Sequence, residues 1–559
     1  MTSYDLKDVK LPVLSGKPLS LTTRLIEFKA TGDLLGPKLI KDAGIHLLRE
    51  ICIDEPPTPF PTHAAPESTQ APAIALDEIA RSTPPEDGFR PHTSADYCEA
   101  YRAGTTTPLD VARRVLAAME NSERLQPPLR AVVQVEQSDV LAQAEASTKR
   151  WQAGKPLSPL DGVPVSVKAE LDQIGYGTTV GTSFLGQTPA SQDATPVARL
   201  RAAGALLIGK ANMHEIGMGV TGLNLHHGVP RNPYRTDSYT GGSSSGSAAS
   251  VAAGFCPISV GADGGGSIRI PAAFCGGVGL KATYGRISEH GAAPLCWSVA
   301  HVGPIASSVY DTALAYAIMA GPDELDPMSL QQPPLDLNEL GDTDLSGVRI
   351  GLYRDWFQHA DAALVQACED ALKHLTAKGA EIVHIEIPNL EAIRVAHSVT
   401  IASEMRAAIN PYYPSQKEKF GLDVRMNMAL AAKFTSADYV TAQRIRTRGL
   451  ADFQRIFEKV DVVVSPTTGC TAPTIPQAAL QNGISDVGQL MDIMRFAPLG
   501  NLLGLPGISV PVGYADKKPI GLQIMGRPWE ESTLLRMARV VESATPKQKP
   551  AYWVDLLKD

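Results

Sequence analysis

Residues 241–270 carry two serines and a run of glycines in one short stretch. Ser243 follows a glycine pair at the start of an alanine-rich segment, and Ser267 follows three consecutive glycines. Glycine lets neighbouring backbone N–H groups converge on one point, because it adopts φ angles that are closed to other residues. Such a nest can stabilise the oxyanion that forms when a hydroxyl attacks a carbonyl group. The candidate donors are the N–H groups of Gly264, Gly265, Gly266 and Ser267.

A serine hydroxyl of ordinary acidity is a weak nucleophile, so it needs a base. The apolar stretch at 163–167 runs directly into Lys168. An ammonium group at the end of a buried strand loses its solvation, which favours the neutral amine that can accept a proton. Lys168 is therefore the candidate base for a serine nucleophile.

The segments DGVPVSVKAELD, from Asp161, and GADGGGSIR, from Gly261, resemble the amidase signature family. The resemblance extends over most of the chain. It implies a triad of a lysine, a serine that follows a cis peptide bond, and a nucleophilic serine, which fall on Lys168, Ser243 and Ser267. It also implies that Lys168 takes the Ser243 proton while Ser243 takes that of Ser267, and that an acyl-enzyme forms and is released by water.

Further residues are expected to support this site. The resemblance places a substrate-contacting backbone carbonyl on Gly217 and implies that Ser243 also borders the substrate. Asp263 and Arg269 lie on either side of the glycine run, which suggests an ion pair that stiffens the loop. Ser244, next to Ser243, is the third expected supporting residue.

The order of segments along the whole chain is similar to that of the plant-type fatty acid amide hydrolase subgroup. Its marks are an N-terminal helical pair, VDVVVSPTTGCTAP from Val460, and GLQIMGRPW from Gly521. This resemblance implies a serine hydrolase that cleaves N-acylethanolamines and related fatty acid amides to free fatty acid and amine. It also implies a homodimer and peripheral membrane contact through the N-terminal helices.

Three other functions stay open at this point. The first is an amidase of the same family with broader or non-lipid specificity, which would hydrolyse short amides without preferring long acyl chains. The second is a glutamine-dependent amidotransferase subunit, which would need a partner protein and a tRNA surface. The third is a membrane-associated binding protein that no longer turns over, which the intact Lys168, Ser243 and Ser267 argue against.

Other motifs in the chain are weaker. Residues 242–246 fit the GxSxG pattern of Ser-His-Asp hydrolases, but the polar residues 232–240 do not supply the buried strand that such a nucleophile elbow needs. Residues 204–211 nearly match a phosphate-binding loop, but Ala211 replaces the hydroxyl that would bind magnesium. The sequence predicts no metal and no cofactor, because metal-ligand spacing is absent among His214, His226, His227 and His290.

From residue 160 onwards, short apolar strands alternate with helical stretches. This alternation predicts an α/β fold in which helices cover both faces of a mixed, twisted β-sheet. The predicted strands are 163–167, 205–208, 348–353, 382–385, 462–464, 507–514 and 521–526. The predicted helices are 94–101, capped by Ser94, 107–119, 361–378 and 532–543.

We predict three segments: an N-terminal pair of amphipathic helices at 1–55, a proline-rich linker at 56–91, and a catalytic domain at 92–559. The pair is expected to break at Gly36-Pro37. Its apolar faces pack on the main body, form a lid over a lipid pocket, or contact a membrane. These faces consist of Leu21, Leu25 and Phe28 in the first helix, and of Ile40, Ala43, Leu47 and Ile51 in the second.

The composition is that of a globular protein. The chain has 559 residues, of which 44% are hydrophobic and 20% are charged, and its net charge of −8 argues against a nucleic-acid partner. Seven scattered cysteines indicate a reducing compartment. Because no signal pattern and no sufficiently long apolar run is seen, we expect an intracellular protein, cytoplasmic or peripherally membrane-associated.

Overall fold

The computed structural model describes residues 4–66, 74–83, 85 and 87–558, and it confirms the predicted α/β fold. Eleven strands form one large sheet and two short strands form a separate pair. The strands are β1 Leu14–Ser15, β2 Val132–Gln134, β3 Pro164–Lys168, β4 Leu206–Ala211, β5 Ile258–Ala262, β6 Val278–Lys281, β7 Val302–Ala306, β8 Arg349–Leu352, β9 Glu381–His384, β10 Val462–Pro466, β11 Ile484–Ser485, β12 Gly507–Ala515 and β13 Lys518–Gly526.

The large sheet is mixed, with the strand order β2-β4-β3-β5-β7-β6-β12-β13-β10-β8-β9. Near one end, β3 lies between β4 and β5, and it runs parallel to both. The carboxyl ends of parallel strands meet at the same edge of a sheet. Lys168, the last residue of β3, therefore lies beside Ala262, the last residue of β5.

The helices surround this sheet. They are α1 Gly16–Glu27, α2 Lys29–Asp42, α3 Leu47–Glu50, α4 Ser94–Ala103, α5 Pro108–Ser122, α6 Gln137–Gln152, α7 Thr195–Ala202, α8 Ser245–Ala252, α9 Arg269–Cys275, α10 Val309–Met319, α11 Arg354–Phe357, α12 Ala362–Thr376, α13 Leu390–Ile409, α14 Tyr413–Gln416, α15 Leu422–Ala431, α16 Ser436–Phe457, α17 Ala479–Asn482, α18 Val487–Met494, α19 Pro498–Leu502 and α20 Glu531–Ala544.

Both faces of the sheet are covered, as the alternation along β10 shows. Val462 and Val464 pack into one hydrophobic core together with helices that include α5, α12 and α20. Val463, between them, points to the other face and joins a second core with α13 and α16. Since successive strand residues face opposite sides of a sheet, the two cores lie on opposite faces.

Most predicted elements are confirmed to within a few residues, and one cap is corrected. Helix α5 begins at Pro108 after the N-cap Thr107, as the sequence predicts. Ser94 is not the cap of α4 but its first residue. Thr93 takes the cap position, because its side chain and that of Asp96 form a reciprocal capping box.

The predicted break at Gly36-Pro37 is wrong. Helix α2 continues through Pro37, and the chain breaks instead at Phe28, whose extended backbone separates α1 from α2. Proline removes one helical hydrogen bond, but here the helix is held by packing. Gly32, Gly36 and Ile40 are buried against the body, and an added Cβ on Gly36 would meet the Lys433 side chain at 3.5 Å.

The two predicted apolar faces have different surroundings. The first face, on α1, does not pack on the main body, because Leu21 and Phe28 are 61% and 66% exposed. The lid and the membrane contact stay open for this face. The buried face of α1 consists of Leu19, Thr23 and Ile26. The second face packs as predicted, with Ile40 buried and the three other residues half-buried against the second core: Ala43, Leu47 and Ile51.

The proposed linker at 56–91 lies partly outside the described residues, namely at 67–73, 84 and 86. Its first part is held against α16, because the Arg446 guanidinium donates hydrogen bonds to the carbonyl groups of Thr58 and Pro59. The boundary between residues 91 and 92 stays a prediction. Within the described ranges, every helix is too short or too polar to cross a membrane.

Candidate active site

Lys168 is held at the carboxyl end of β3 with its side chain almost fully buried. Its Nζ donates a hydrogen bond of 2.8 Å to Ser243 Oγ and one of 3.0 Å to the carbonyl of Ala262. The apolar run at 163–167 is buried throughout, so the strand carries the amine into the interior. The structure thus brings the predicted base into direct contact with the predicted bridging serine.

Ser243 lies in a loop whose two preceding positions, Gly241 and Gly242, require glycine. The Gly242–Ser243 peptide bond is cis, as the family resemblance implies, and Gly241 adopts a positive φ of 74°. A Cβ on Gly242 would come within 2.8 Å of the Gly222 nitrogen. The carbonyl of Ser243 accepts a hydrogen bond of 3.0 Å from the His214 N–H, which fixes this loop after β4.

Ser244 connects the two serine loops. Its N–H donates to the Ser267 carbonyl at 3.2 Å, and its Oγ donates to the Ala262 carbonyl at 3.1 Å. Both contacts hold the start of α8 against the end of β5. Ser244 is therefore placed to support the site. It lacks the setting of a nucleophile elbow, because no strand precedes it within the described residues 232–240.

Ser267 is 5% exposed and follows the glycine turn between β5 and α9. In the part of the chain that the structure describes, the backbone N–H groups of Gly264, Gly265 and Ser267 have no hydrogen-bond partner. They are thus free to receive an oxyanion. Glycine is required here, since a Cβ on Gly264 would lie 2.7 Å from the Cys296 sulfur.

Gly266 must be removed from the expected set of oxyanion donors. Its N–H already donates a hydrogen bond of 2.6 Å to Asp263 Oδ1. A single N–H that is engaged with a carboxylate is not available to a second anion. The glycine is needed for another reason, because Gly266 has a φ of 106°, which other residues rarely adopt.

Asp263 and Arg269 form the expected ion pair, with a distance of 3.0 Å between Arg269 Nε and Asp263 Oδ2 and both side chains fully buried. Burial alone would raise the pKa of Asp263, but the Arg269 guanidinium, Lys281 and the Asn501 amide hold that pKa well below its usual range. The Asp263 carboxylate also accepts the N–H groups of Gly266 and Ile268. The pair therefore fixes both sides of Ser267.

Glu170 is a neighbour of the site that the sequence analysis missed. Its Oε2 lies 3.1 Å from Lys168 Nζ, and its side chain is 10% exposed. The Glu170 carboxylate therefore lies within ion-pair distance of the amine that contacts Ser243. The signal was available, because Glu170 follows Lys168 by two residues in the same segment that carries the family resemblance.

His397 is a second missed residue, and it comes from α13, a helix that the sequence analysis did not predict. Its Nε2–H donates a hydrogen bond of 2.7 Å to the Gly264 carbonyl. Burial lowers the pKa of His397 to about 4, so the ring is neutral near pH 7. A Cβ on Gly265 would come within 2.9 Å of this ring. The ring therefore holds the glycine turn in place through its hydrogen bond to Gly264 and its close approach to Gly265.

Two cavities meet at Ser267. The smaller, of about 30 Å³, is lined by Lys168, Ser243, Ser267, Glu170 and Glu289 among others, and we call it the small arm. The larger, of about 220 Å³, also reaches Ser267, and we call it the large arm. The two share four lining residues: Gly217, Ser267, Ile401 and Met405.

The large arm is mostly apolar. Its lining includes methionine and leucine side chains from α15, α18 and the loop after β4, together with Val9, Ala43 and Ile45 of the N-terminal segment. Gly217, at the junction, has a φ of 71°, and a Cβ there would lie 3.6 Å from Ser243 Oγ. The predicted substrate-contacting residue thus lies beside the bridging serine.

A more open groove of about 1010 Å³, which includes His63 and Trp529, does not touch Lys168, Ser243 or Ser267.

Where the structure describes them, the side chains of the remaining candidates from the sequence form no hydrogen bond with Lys168, Ser243 or Ser267. Lys210 of the near-match to a phosphate-binding loop is buried and donates to the Leu171 carbonyl. Among the described residues, no cluster of His, Cys, Asp or Glu side chains could hold a metal ion. Structural hydrogen bonds are formed by His226, His227 and His290.

Known proteins are similar to this chain in sequence and in fold. The family model described as Amidase matches residues 113–535. Fatty acid amide hydrolase from Arabidopsis thaliana is 40% identical, with 99% of this chain and 96% of that protein covered. The enzyme of the same name from Oryza sativa subsp. indica is 41% identical with the same coverage.

Solved structures agree with the sequence comparisons. A chain from a vestigial protein complex that bears on the origins of an s-triazine catabolic enzyme superposes with a TM-score of 0.75 and is 33% identical. The match covers 82% of this chain and all of that one. By sequence and fold alike, the chain belongs to the amidase signature family, whose members hydrolyse amide C–N bonds.

Proposed function

We propose that this amidase hydrolyses N-acylethanolamines and related fatty acid amides through Lys168, Ser243 and Ser267. The observation that carries the proposal is the position of Ser267, which borders both the Lys168–Ser243 contact and an apolar cavity of about 220 Å³. The identity of about 40% to plant fatty acid amide hydrolases over nearly the whole chain supports the same substrate class.

The reaction begins with a proton relay. Neutral Lys168 accepts the Ser243 proton, Ser243 accepts that of Ser267, and Ser267 Oγ attacks the amide carbonyl. In this structure no hydrogen bond between the Ser243 and Ser267 hydroxyls is found among the described residues. Contacts of this kind often tighten only when a substrate is bound. The ammonium that forms on Lys168 is stabilised by the Glu170 carboxylate at 3.1 Å.

The tetrahedral intermediate places its oxyanion against the N–H groups of Gly264, Gly265 and Ser267. The proton then returns from Lys168 through Ser243 to the leaving amine, and the C–N bond breaks. A water molecule, deprotonated by the same relay, hydrolyses the acyl-enzyme and releases the fatty acid. Ser243 thus acts on both the nucleophile and the leaving group, which explains why it must lie between Lys168 and Ser267.

The large arm fits an acyl chain. Its lining is apolar at most positions, and the methionines among it adapt to chains of different shape: Met218, Met405, Met491 and Met494. Burial of each methylene group contributes about 0.8 kcal/mol, so an apolar arm favours longer chains. A family member of broad specificity would not show this preference.

Hydrolysis of ethanolamides that differ only in acyl length tests the proposal. The wild-type kcat/KM should rise with chain length until the large arm is filled. Ser267→Ala should lower kcat by at least about 10⁴-fold and Lys168→Ala by a comparable factor, whereas Ser250→Ala on α8 serves as the matched control. Equal rates on short and long chains would favour the broader amidase, and full activity of Ser267→Ala would end the proposal.

The N-terminal helices supply a surface for peripheral membrane contact, which we include in the proposal. Four large apolar side chains of α1, α2 and the residue between them are exposed: Leu21, Leu25, Phe28 and Leu34. Exposed basic side chains stand among them, as in helices that lie on anionic lipid: Lys17, Arg24, Lys29 and Lys38. The homodimer that the resemblance implies is likewise proposed, and light scattering of the purified enzyme would test it.

A further inference from the structure

The two arms at Ser267 differ in what they can hold. A carbonyl carbon attached to Ser267 carries an acyl chain on one side and the leaving amine on the other. The small arm, of about 30 Å³, has no room for a long chain, whereas the large arm has about 220 Å³. Lys168 and Ser243, which return the proton to the amine, line the small arm and not the large one. The leaving amine therefore belongs in the small arm.

Glu289 is an acidic residue that lines this small arm. Its backbone is fixed, because the Glu289 N–H donates a hydrogen bond of 2.9 Å to Asp326 Oδ2 and the Ala292 N–H donates one of 2.9 Å to the Glu289 carbonyl. Ala293 N–H donates to the Glu170 carbonyl at 2.8 Å, which ties the turn to the segment after Lys168. The backbone position of Glu289 at the small arm is thus set by the fold.

The Glu289 carboxyl group itself has no hydrogen-bond or ion-pair partner within the part of the chain that the structure describes. Glu289 is half-buried, so its unpartnered carboxyl group stays accessible to a ligand in the small arm. Burial first, and then the carboxylates of Asp326, Glu170 and Glu404, raise the pKa of Glu289 well above its usual range. A carboxyl group that keeps its proton can both donate to and accept from a hydroxyl.

We propose that Glu289 recognises the leaving amine by a hydrogen bond to its terminal hydroxyl, so that the small arm selects small hydroxylated amines of the ethanolamine class. This inference rests on the proposed amide hydrolysis, and it adds the residue that recognises the leaving amine. Glu289 is a specificity-determining residue and takes no proton from Ser267. Ala292 and Ala293, which also line the small arm, limit the size of the amine.

The test compares three amides of one long-chain fatty acid: the N-(2-hydroxyethyl) amide, the N-propyl amide and the primary amide. The propyl group replaces the hydroxyl by a methyl of similar size. The wild type should prefer the hydroxyethyl over the propyl amide in kcat/KM by about tenfold or more, because the propyl group leaves Glu289 unpaired. Glu289→Met should bring this ratio close to one, whereas Glu289→Gln, which still forms hydrogen bonds, should keep most of it.

Two further variants separate the outcomes. Glu381→Met, on the exposed edge strand β9, is the matched control and should keep the wild-type ratio. Ala292→Val narrows the small arm and should lower kcat/KM for the hydroxyethyl amide relative to the primary amide. A ratio that Glu289→Met leaves unchanged, or an Ala292→Val enzyme with wild-type selectivity, would overturn this inference alone. If the wild type hydrolyses none of the three amides, the proposed function fails and the inference fails with it.

Discussion

At the scale of single residues, the contacts of a side chain or N–H group distinguish the residues of the candidate site from others of the same type. Lys168 is one of several buried lysines, and among those that the structure describes it is the one whose Nζ contacts a serine hydroxyl, at 2.8 Å. Gly266 shows the limit of reasoning from composition, since its N–H is bound to Asp263 although the glycine run predicts a free donor. A sequence shows which donors exist, whereas only the folded loop shows which are already engaged.

His397 gives a pH-dependent prediction at this scale. Its folded pKa of about 4 lies below the ordinary value of 6.5. Between these values the unfolded chain binds a proton that the folded chain does not, so the stability contributed by neutral His397 is present above pH 6.5 and is lost as the pH falls towards 4. The loss amounts to about 3 kcal/mol.

Thermal unfolding of the wild type and of His397→Gln from neutral pH down to about 4 measures this effect. The glutamine amide can still donate to the Gly264 carbonyl, so the variant should fold. The wild type should lose more stability than the variant on acidification, whereas His384→Gln, on exposed β9, should follow the wild type. Parallel curves for wild type and His397→Gln would contradict the assignment.

At the scale of elements, seven strands of the large sheet and the family motifs were predicted, whereas β2, β5, β6, β7 and helix α13 beside the site were not. The run at 163–167 is apolar without interruption, so its burial and the position of Lys168 at its end follow directly. Helix α13 has no such signal, because its buried residues surround it and include charged ones such as Arg394 and Glu404. The sequence analysis therefore missed His397 and Glu404. It also missed the break at Phe28, because the position of that break depends on the packing of α2 against the main body.

The exposed side chains of α1 and α2 give the prediction that belongs to elements. Phe28→Asp combined with Leu34→Asp should lower co-sedimentation with vesicles of mixed neutral and anionic phospholipid by at least about tenfold, since each side chain loses about 1.5–3 kcal/mol of burial. Leu325→Asp with Leu330→Asp, two exposed leucines outside these helices, is the matched control. Equal loss in both double variants would remove the N-terminal helices as the contact surface.

At the scale of the whole molecule, the N-terminal segment and the main body line the large arm together. Val9, Ala43 and Ile45 line the large arm, and strand β1 pairs with β11 beside it. The Arg49 guanidinium forms a bidentate contact with Asp438 at the start of α16, which holds the segment in place. The segment therefore lines the cavity that we propose for the acyl chain, and it also carries the exposed apolar surface.

A substitution that fills the cavity from this segment tests the shared architecture. Ala43→Leu projects a larger side chain into the large arm and should lower kcat/KM for long-chain amides by about tenfold while short-chain amides react as before. Ala30→Leu, at an exposed position of α2, adds the same volume outside the cavity and should change neither rate. Unaltered chain-length preference in Ala43→Leu would show that acyl chains do not reach this part of the cavity.

Covalent labelling is the most direct test of the central claim. The claim is that Ser267 is the nucleophile and that Lys168 activates it through Ser243. A long-chain alkyl fluorophosphonate should add one equivalent to the wild type, and peptide mass spectrometry should locate it on Ser267. Lys168→Ala and Ser243→Ala should label far more slowly, and Ser267→Ala should not label. An adduct on another residue, or undiminished labelling of Ser267→Ala, would contradict the account.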